Sequence, residues 1–467
     1  MFLTIAYILL VSICILAWKF LPKYEPNKLF IFLWTIQIAL GSLFFIGSYQ
    51  FTGYLFLYVA IISIILFFSS FLAKRCTHKI DMQNIEYNFS QNRTVLILIV
   101  SIMMAIIYPF IILGQNGIHI GELFSKNGLI EINFKMAELR YSNNLEMSKW
   151  AQPLLAILYF LPLYAGFVFN QLHHKWRWLC FMPCIPVLLI LLTINTKVIV
   201  VSSILLWFCG WLCSAIYRKF PLLKHFGWKK ITIVACSVIA LISILILSLM
   251  LRAGDFDLKI AKIAKRKFEV YTFGHLPATD KWLFTNGDSL SFIDNQFGKS
   301  VFIGISAPLN LAEKKQGLYK KHTTYSHYLR PLPTKYEKKY RTFEGVEIPE
   351  GIDSTIVIEI NGVKYHKMPL HTNVYTLFRP AIEDFGIIGS VVFFFLVGFI
   401  GSNSYYFLRK KRFVFLSLTI LASCYFFYLF YFASAWSYTS FVAAFALFYI
   451  AIKISFIKKR EHEILPE

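Results

Sequence analysis

Uninterrupted apolar runs of about 20 residues recur along this chain, and they constrain its fold more than any other feature of the sequence. A helix of that length spans the hydrocarbon core of a bilayer, and 57% of the 467 residues are hydrophobic whereas only 15% are charged. The sequence therefore predicts an all-α polytopic membrane protein with about eleven transmembrane helices. The predicted spans are 2–21, 28–47, 53–73, 94–114, 150–170, 178–194, 197–216, 230–251, 386–407, 413–431 and 436–456.

The basic residues lie mainly in alternate short loops, the pattern that orients membrane proteins with those loops in the cytoplasm. A net charge of +22 on its own is also typical of nucleic-acid binding, but membrane topology accounts for these loop cations, so we expect no nucleic-acid partner. The loops near 48–52 and 431–435 carry no Lys or Arg. We therefore expect the N-terminus outside and the C-terminus inside, with the first run kept as a helix because it lacks a basic leader and a small-residue cleavage site.

Two long polar segments on the outward side divide the chain. Residues 1–251 are predicted to form a bundle of about eight spans that includes an outward segment at 115–149. Residues 252–384 are long enough for a large extracytoplasmic loop domain. Residues 385–467 are predicted to add about three spans and a cytoplasmic tail.

Local patterns predict three elements in these outward segments. Residues 129–141 have the period of an amphipathic helix lying on the membrane, and its predicted lipid-facing residues are Ile130, Phe134 and Ala137. Residues 256–268 also have a helical period, with apolar residues on one face and basic residues on another, which predicts a basic surface helix. Residues 355–367 read as two strands joined by Asn361-Gly362, a dipeptide typical of two-residue hairpin turns.

Several classes of function lack their characteristic residues. The predicted spans contain essentially no Asp or Glu, which disfavours a proton- or sodium-coupled carrier. The cysteine pairs Cys180/Cys184 and Cys209/Cys213 have helical spacing, not that of a metal-binding CxxC, and we interpret them as packing residues. No Walker loop, GxGxxG, HExxH or GxSxG motif occurs, so we expect no metal and no cofactor.

The segment 371–389 crowds ionisable side chains ahead of an apolar span. His371 titrates near neutrality and is a candidate to accept a proton from an attacking hydroxyl, and Glu383 or Asp384 could do the same. Pro380 restricts the backbone of Arg379 and so helps to fix the direction of its guanidinium. The alternative for His371 is a solvated surface group.

Further candidates lie at the predicted outer ends of other spans. Arg252 and Lys197 would complete a diphosphate site with Arg379, because guanidinium groups bind phosphate oxygens through paired hydrogen bonds. Alternatively, Arg252 and Lys197 are interface anchors. In the long loop, Trp282 among lysines suits stacking on sugar rings and His275 is a candidate ligand contact. The alternatives there are aromatics that close a small core and a histidine that satisfies a turn.

The segment with the most ionisable groups also carries a recognisable motif. Its residues Asn373, Tyr375, Thr376, Asp384-Phe385-Gly386 and Gly389 resemble the Asn-x-Tyr-Thr…Asp-Phe-Gly-x-x-Gly signature of the Wzy-type oligosaccharide repeat-unit polymerases, also called O-antigen polymerases. Secondary matches are Glu138-Leu139-Arg140, Thr196-Lys197 and Gly274-His275-Leu276-Pro277. The arrangement of many spans with one large outward loop is also similar to that of the family.

The resemblance implies a GT-C-like glycosyltransferase in the bacterial cytoplasmic membrane. Such an enzyme moves a growing glycan from undecaprenyl diphosphate to the next lipid-linked repeat unit, without metal or nucleotide sugar, and can have a chain-length regulator as partner. The resemblance implies that Arg140 binds the diphosphate together with Arg379, Arg252 and Lys197. It places Tyr375 with His275 and Trp282 at the glycan.

Two other functions fit the same pattern. A ligase or another lipid-linked sugar transferase of the same architecture would pass the glycan to a different acceptor, such as a lipid A core. A polysaccharide flippase or exporter would move the lipid-linked unit without chemistry, but transporters of that kind show related halves and midplane contacts that this sequence lacks. The sequence therefore favours the polymerase.

Overall fold

A computed structural model describes residues 2–44, 51–79, 87–119, 121–122, 125, 128–141, 151–194, 196–219, 275–276, 279–280, 283, 324–331, 357–360, 363–372, 376–430 and 435–458. These residues are mostly helical. The α-helices are α1 (Phe2–Phe20), α2 (Pro26–Phe44), α3 (Tyr54–Lys79), α4 (Gln91–Gln115), α5 (Gly128–Tyr141), α6 (Ala151–Val168), α7 (Cys184–Thr193), α8 (Lys197–Arg218), α9 (Phe378–Arg409), α10 (Val414–Leu429) and α11 (Thr439–Ser455).

Seven helical stretches within the described ranges are long and apolar enough to cross a membrane, which confirms the predicted multi-pass helical character. They are Leu3–Phe20, Tyr54–His78, Gln91–Gln115, Ala151–Val168, His174–Thr193, Val198–Arg218 and Asp384–Arg409. The apolar helices α10 and α11 are shorter, and α2 is a further 19-residue helix. The predicted span at 230–251 lies outside the described residues, so the total of eleven stays a prediction.

The helices enclose two apolar cores that share α10 and also the last part of α9, whose Tyr405 and Leu408 lie in the larger core. The smaller core is built by α1, α2, α3 and α9, and the larger by α4 to α8 and α11. Helix α10 contributes to both, since Tyr425 and Phe426 lie in the larger core and Phe427 and Tyr428 in the smaller. In the larger core the backbones of α6 and α8 are in direct contact at Gly166. A Cβ added at this residue would lie only 1.9 Å from the Trp207 carbonyl oxygen, so a larger side chain does not fit between the two helices.

Side-chain contacts define the two ends of this bundle. At one end, which we call the basic end, Lys28 Nζ donates to the Trp18 carbonyl at 3.0 Å and Lys410 Nζ donates to the Thr77 carbonyl at 3.0 Å. At the opposite end Tyr7 hydrogen bonds Ser42. Helix α3 has 26 residues and is therefore about 39 Å long, more than a bilayer core requires, whereas the 32 residues of α9 are divided by a break at Gly386. Which end faces the cytoplasm stays a prediction.

Strands form two small sheets. β1 (Tyr87–Phe89) pairs antiparallel with β5 (Phe456–Lys458) at the basic end. β4 (Val363–Thr372) lies between β2 (Thr324–Pro331) and β3 (Val357–Ile360), and both neighbours are antiparallel to it. Ile360 pairs with Val363 across positions 361–362. The division of the chain at 252 and 384 stays a prediction, and the predicted basic helix 256–268 lies outside the described residues.

Helix α5 occupies the position of the predicted amphipathic helix. It buries Ile132 and Met136, which are four residues apart and therefore share a face. The Asn133 side chain donates to the Leu192 carbonyl of α7. This helix therefore packs against α7 and the larger core, whereas the side chains predicted to face lipid are not among those described.

Candidate functional site

Asp280 attaches the segment around 275–283 to the start of α3. Its carboxylate accepts hydrogen bonds from the Thr52 N–H at 2.7 Å, the Thr52 hydroxyl at 2.9 Å and the Leu55 N–H at 3.2 Å. The first N–H groups of a helix have no partner within the helix, so a carboxylate there is stabilised. Burial raises the pKa of Asp280, and these hydrogen bonds oppose the rise. Asp280 therefore positions this segment against the opposite end of the bundle.

His275 is held in the same segment, fully buried against α2. Its ring meets Trp34 edge to face, with centroids 6.2 Å apart. Burial lowers the pKa of His275 to about 3, so the imidazole is neutral near pH 7. Thr279 donates to the His275 carbonyl at 2.8 Å and contacts the Thr376 hydroxyl at 3.1 Å, which ties this segment to the start of α9. Contact of His275 with a glycan stays a prediction.

Aromatic rings fix the first turn of α9. Phe378 is fully buried, with ring centroids 4.4 Å from Trp34 and 5.4 Å from Tyr58. The Arg379 N–H donates to the Thr376 carbonyl at 3.3 Å. This packing holds the backbone from which the Arg379 side chain projects.

Arg379 and Asp384 are both buried on this first part of α9. Arg379 is 6% exposed and Asp384 is fully buried, and each has interaction partners. A charged group is stable in such a place only when it is paired or hydrogen bonded. An interface-anchor arginine would instead keep its guanidinium in water. The burial of Arg379 therefore distinguishes it from the solvated cations of the loops.

The backbone of α9 breaks at Gly386. This residue has φ 68° and ψ 176°, a conformation that is essentially restricted to glycine. After the break, the Ser390 hydroxyl lies 2.7 Å from the Tyr58 hydroxyl, and Phe385 stacks on Phe393 with centroids 5.2 Å apart. The sequence Asp384-Phe385-Gly386 thus ends a short helical segment that carries both buried charges.

The other predicted site residues are located less completely. Glu383 lies on the short segment of α9, Lys197 is the first residue of α8, and Arg140 is near the end of α5, but their side chains are not among those described. His371 lies in β4 opposite Tyr325 of β2. Three predicted residues lie outside the described ranges: Arg252, Tyr375 and Trp282.

The structure brings some of these residues together. His275, Asp280, Arg379 and Asp384 lie on segments whose apolar neighbours, such as Leu276 and Phe378, belong to the smaller core. The helices that carry Lys197 and Arg140 belong to the larger core. A cavity shared by all the predicted cations therefore stays a prediction.

Glu25 is a buried carboxylate that sequence reasoning missed. It lies between α1 and α2 at the basic end and accepts hydrogen bonds from Ser402, from Ser70 at 3.0 Å and from the Lys28 N–H at 2.8 Å. Burial raises the pKa of Glu25 to about 7. The available signal was Pro26, since proline is common at the first position of a helix and the residue before it can then accept hydrogen bonds from the first N–H groups.

Asn27 fills the centre of the same polar cluster. Its Nδ2 lies 2.9 to 3.2 Å from oxygens of Leu66, Ser69, Ser70, Gly398 and Ser402, and its Oδ1 accepts from Tyr428 at 2.9 Å. The cluster therefore joins α2, α3, α9 and α10. Glu25 and Asn27 together make this a polar contact between helices of the smaller core.

Comparison with known proteins identifies no family for this chain. No protein-family model, curated protein or solved structure matches this chain. Among the described residues no group of three or more His, Cys, Asp or Glu side chains is arranged to hold a metal ion.

Proposed function

We propose that this protein is a glycosyltransferase that joins undecaprenyl-diphosphate-linked oligosaccharide repeat units into a bacterial surface polysaccharide, such as O-antigen or capsule. The reaction takes place at the outer face of the cytoplasmic membrane and uses neither metal nor nucleotide sugar. The observation that carries the proposal is the burial of Arg379 and Asp384 on one short helical segment ahead of the break at Gly386. That segment contains the Asp-Phe-Gly part of the polymerase-like motif.

Arg379 has the chemistry that the leaving group requires. When the acceptor hydroxyl attacks the anomeric carbon, the bond from that carbon to the diphosphate oxygen breaks and its electron pair remains on the diphosphate. A guanidinium donates two parallel hydrogen bonds to such an oxyanion, and its charge acts more strongly away from water. Because Arg379 is already buried, it is suited to this role without prior desolvation.

The other predicted site residues take the remaining roles in the reaction. The proton of the acceptor hydroxyl passes to a carboxylate or imidazole, for which Asp384, Glu383 and His371 are the candidates. Arg252, Lys197 and Arg140 add positive charge for the diphosphate. Tyr375, Trp282 and His275 contact the glycan.

The direct test uses purified protein in lipid with diphosphate-linked repeat units. We expect a ladder of lengthened lipid-linked products from the wild-type protein and none from Arg379→Ala. Arg218→Ala is the matched control, because Arg218 is an exposed arginine at the end of α8 and is not one of the predicted site residues. A normal ladder from Arg379→Ala would remove this residue from the site, and the absence of any ladder from wild type would overturn the polymerase.

The same preparation separates the two rival functions. A ligase would transfer the glycan to an added lipid A core and leave the lipid-linked chain length unchanged. A flippase would move the lipid-linked unit across a vesicle membrane without forming a new glycosidic bond. Either result would replace the polymerase proposal.

A further inference from the structure

A groove at the basic end opens between α3, α9 and α10. It has a cavity of about 450 Å³, within the size range of ligand pockets, and its walls include Cys76, Phe407 and Ile420. Three of its lining residues also present apolar surface outward: Ile400 is 48% exposed, Phe413 51% and Leu416 52%. The groove is therefore apolar inside and open along its edge to the surrounding membrane.

The rim of this groove carries concentrated positive charge. Lys74 and Arg75 precede Cys76 on α3 and are exposed, and the exposed Arg409 and Lys411 lie two and four residues after Phe407. Lys410 is already engaged with the Thr77 carbonyl, whereas Lys411 is exposed. At this end of the bundle the one carboxylate among the described residues is Glu25, which is buried inside the helix cluster. The rim is therefore not neutralised by the described part of the protein.

A tight turn holds these cations next to the apolar wall. Lys411 and Phe413 both have left-handed backbone conformations, with φ 54° and 44°. The Arg412 N–H donates to the Phe407 carbonyl at 2.8 Å, and the rings of Phe407 and Phe413 lie 5.5 Å apart. Since both rings line the groove, the cations lie within a few residues of its wall.

Asn403 supplies a polar group inside the groove. Its Oδ1 accepts a hydrogen bond from Thr77 at 2.9 Å, so the amide is oriented by the protein. Its Nδ2 group carries two hydrogens that can be donated to a ligand in the groove. An ester carbonyl of a lipid would be a suitable acceptor there.

We propose that this groove binds one anionic glycerophospholipid from the leaflet at the basic end. One acyl chain lies along the apolar wall, the phosphate meets the exposed cations on the rim, and an ester carbonyl accepts from Asn403. The tendency of basic loops to face the cytoplasm explains the number of cations but not the groove beneath them. Positively charged rims attract anionic lipids over zwitterionic ones. This site is separate from the proposed transfer reaction at the opposite end.

Cys76 provides a native probe of this groove. It is an exposed thiol on the groove wall, and Cys184 is an exposed thiol on α7, away from the groove. The full-length protein in non-ionic detergent is alkylated with a maleimide, and the rate at each cysteine is followed by peptide mass spectrometry. Phosphatidylglycerol is expected to slow alkylation of Cys76 at least five-fold, whereas phosphatidylcholine is expected to have little effect and Cys184 to react equally throughout.

A pair of matched variants tests the role of charge. Lys411→Gln is expected to raise the phosphatidylglycerol concentration needed for half protection of Cys76 several-fold. Lys219→Gln is the control, because Lys219 is also exposed and left-handed, with φ 55°, but lies at the end of α8. Equal protection by phosphatidylcholine, no protection by either lipid, or stronger protection by undecaprenyl diphosphate would each overturn the proposal. Equal effects of the two variants would overturn the role of Lys411.

Discussion

Replacing Glu25 by glutamine should remove a pH-dependent loss of stability from this protein. The carboxyl is fully buried and hydrogen bonded by Ser402, Ser70 and the Lys28 N–H. A glutamine side chain keeps an acceptor for the Lys28 N–H on its Oε1 and can donate its Nε2 hydrogens to the Ser70 and Ser402 hydroxyls, but it has no ionised form to desolvate. The amide therefore preserves the packing of the cluster and removes only the titration.

The size and sign of the effect follow from the pKa of Glu25. Burial raises this pKa from 4.5 to about 7 in the folded protein. Below pH 4.5 the carboxyl is protonated in the folded and unfolded chains alike, so its full contribution to stability is present. Between pH 4.5 and about pH 7 the carboxyl is ionised in the unfolded chain but protonated in the folded protein. The free energy of unfolding therefore falls as pH rises through this range, by about 3 kcal/mol in total. Above pH 7 the loss is constant.

Thermal unfolding in a non-ionic detergent at pH 4.5, 6 and 8 measures this effect. Glu25→Gln and wild type should unfold at similar temperatures at pH 4.5, and the variant should become progressively more stable than wild type at the two higher values. Glu122→Gln is the matched control because Glu122 is exposed. A difference between Glu25→Gln and wild type that does not change with pH, or that reverses sign, would refute the reasoning.

Three further substitutions test the opposite end of the bundle. Gly386→Ala places a Cβ on a backbone conformation restricted to glycine and should lower the free energy of unfolding by about 1 to 3 kcal/mol, whereas Gly114→Ala in α4, where a Cβ meets open space, should have a smaller effect in the same thermal assay. Asp280→Ala leaves the Thr52 and Leu55 donors without their acceptor and should cost about 1 to 3 kcal/mol; unchanged stability would contradict the anchoring role. Arg379→Lys should restore only part of the activity lost in Arg379→Ala, because the paired hydrogen bonds of the guanidinium are absent; full activity would contradict bidentate binding.

Sequence reasoning located the described helices well because long apolar runs leave few alternatives in a membrane. The predicted and observed helix boundaries differ where basic residues follow an apolar run. The run predicted at 53–73 continues as helix to Lys79, because basic residues end a hydrophobic run without ending a helix. The run predicted to begin at 386 is preceded by the buried segment Phe378–Phe385. That segment is covered by Trp34 and Tyr58 from distant helices, which no local pattern can reveal.

The candidate site was predictable only in part. The concentration of charge near Arg379 is visible in the sequence, but its burial depends on contacts with α2 and α3. The contact between Asp280 and Thr52 joins residues 228 positions apart. Glu25 lies between Lys23 and Lys28 in the sequence, which gives no sign of its burial, because its partners Ser70 and Ser402 come from other helices.

The pairing of β1 with β5 determines where an attached reporter would emerge. Tyr87 lies opposite Lys458, although 371 positions separate them along the chain. A fluorescent protein fused after Lys458 and a dye attached at Tyr87 would therefore begin as spatial neighbours, with efficient energy transfer between them. Separation of the two strands would appear as loss of that transfer, so this ladder offers a fixed reference point for single-molecule measurements on the membrane-embedded protein.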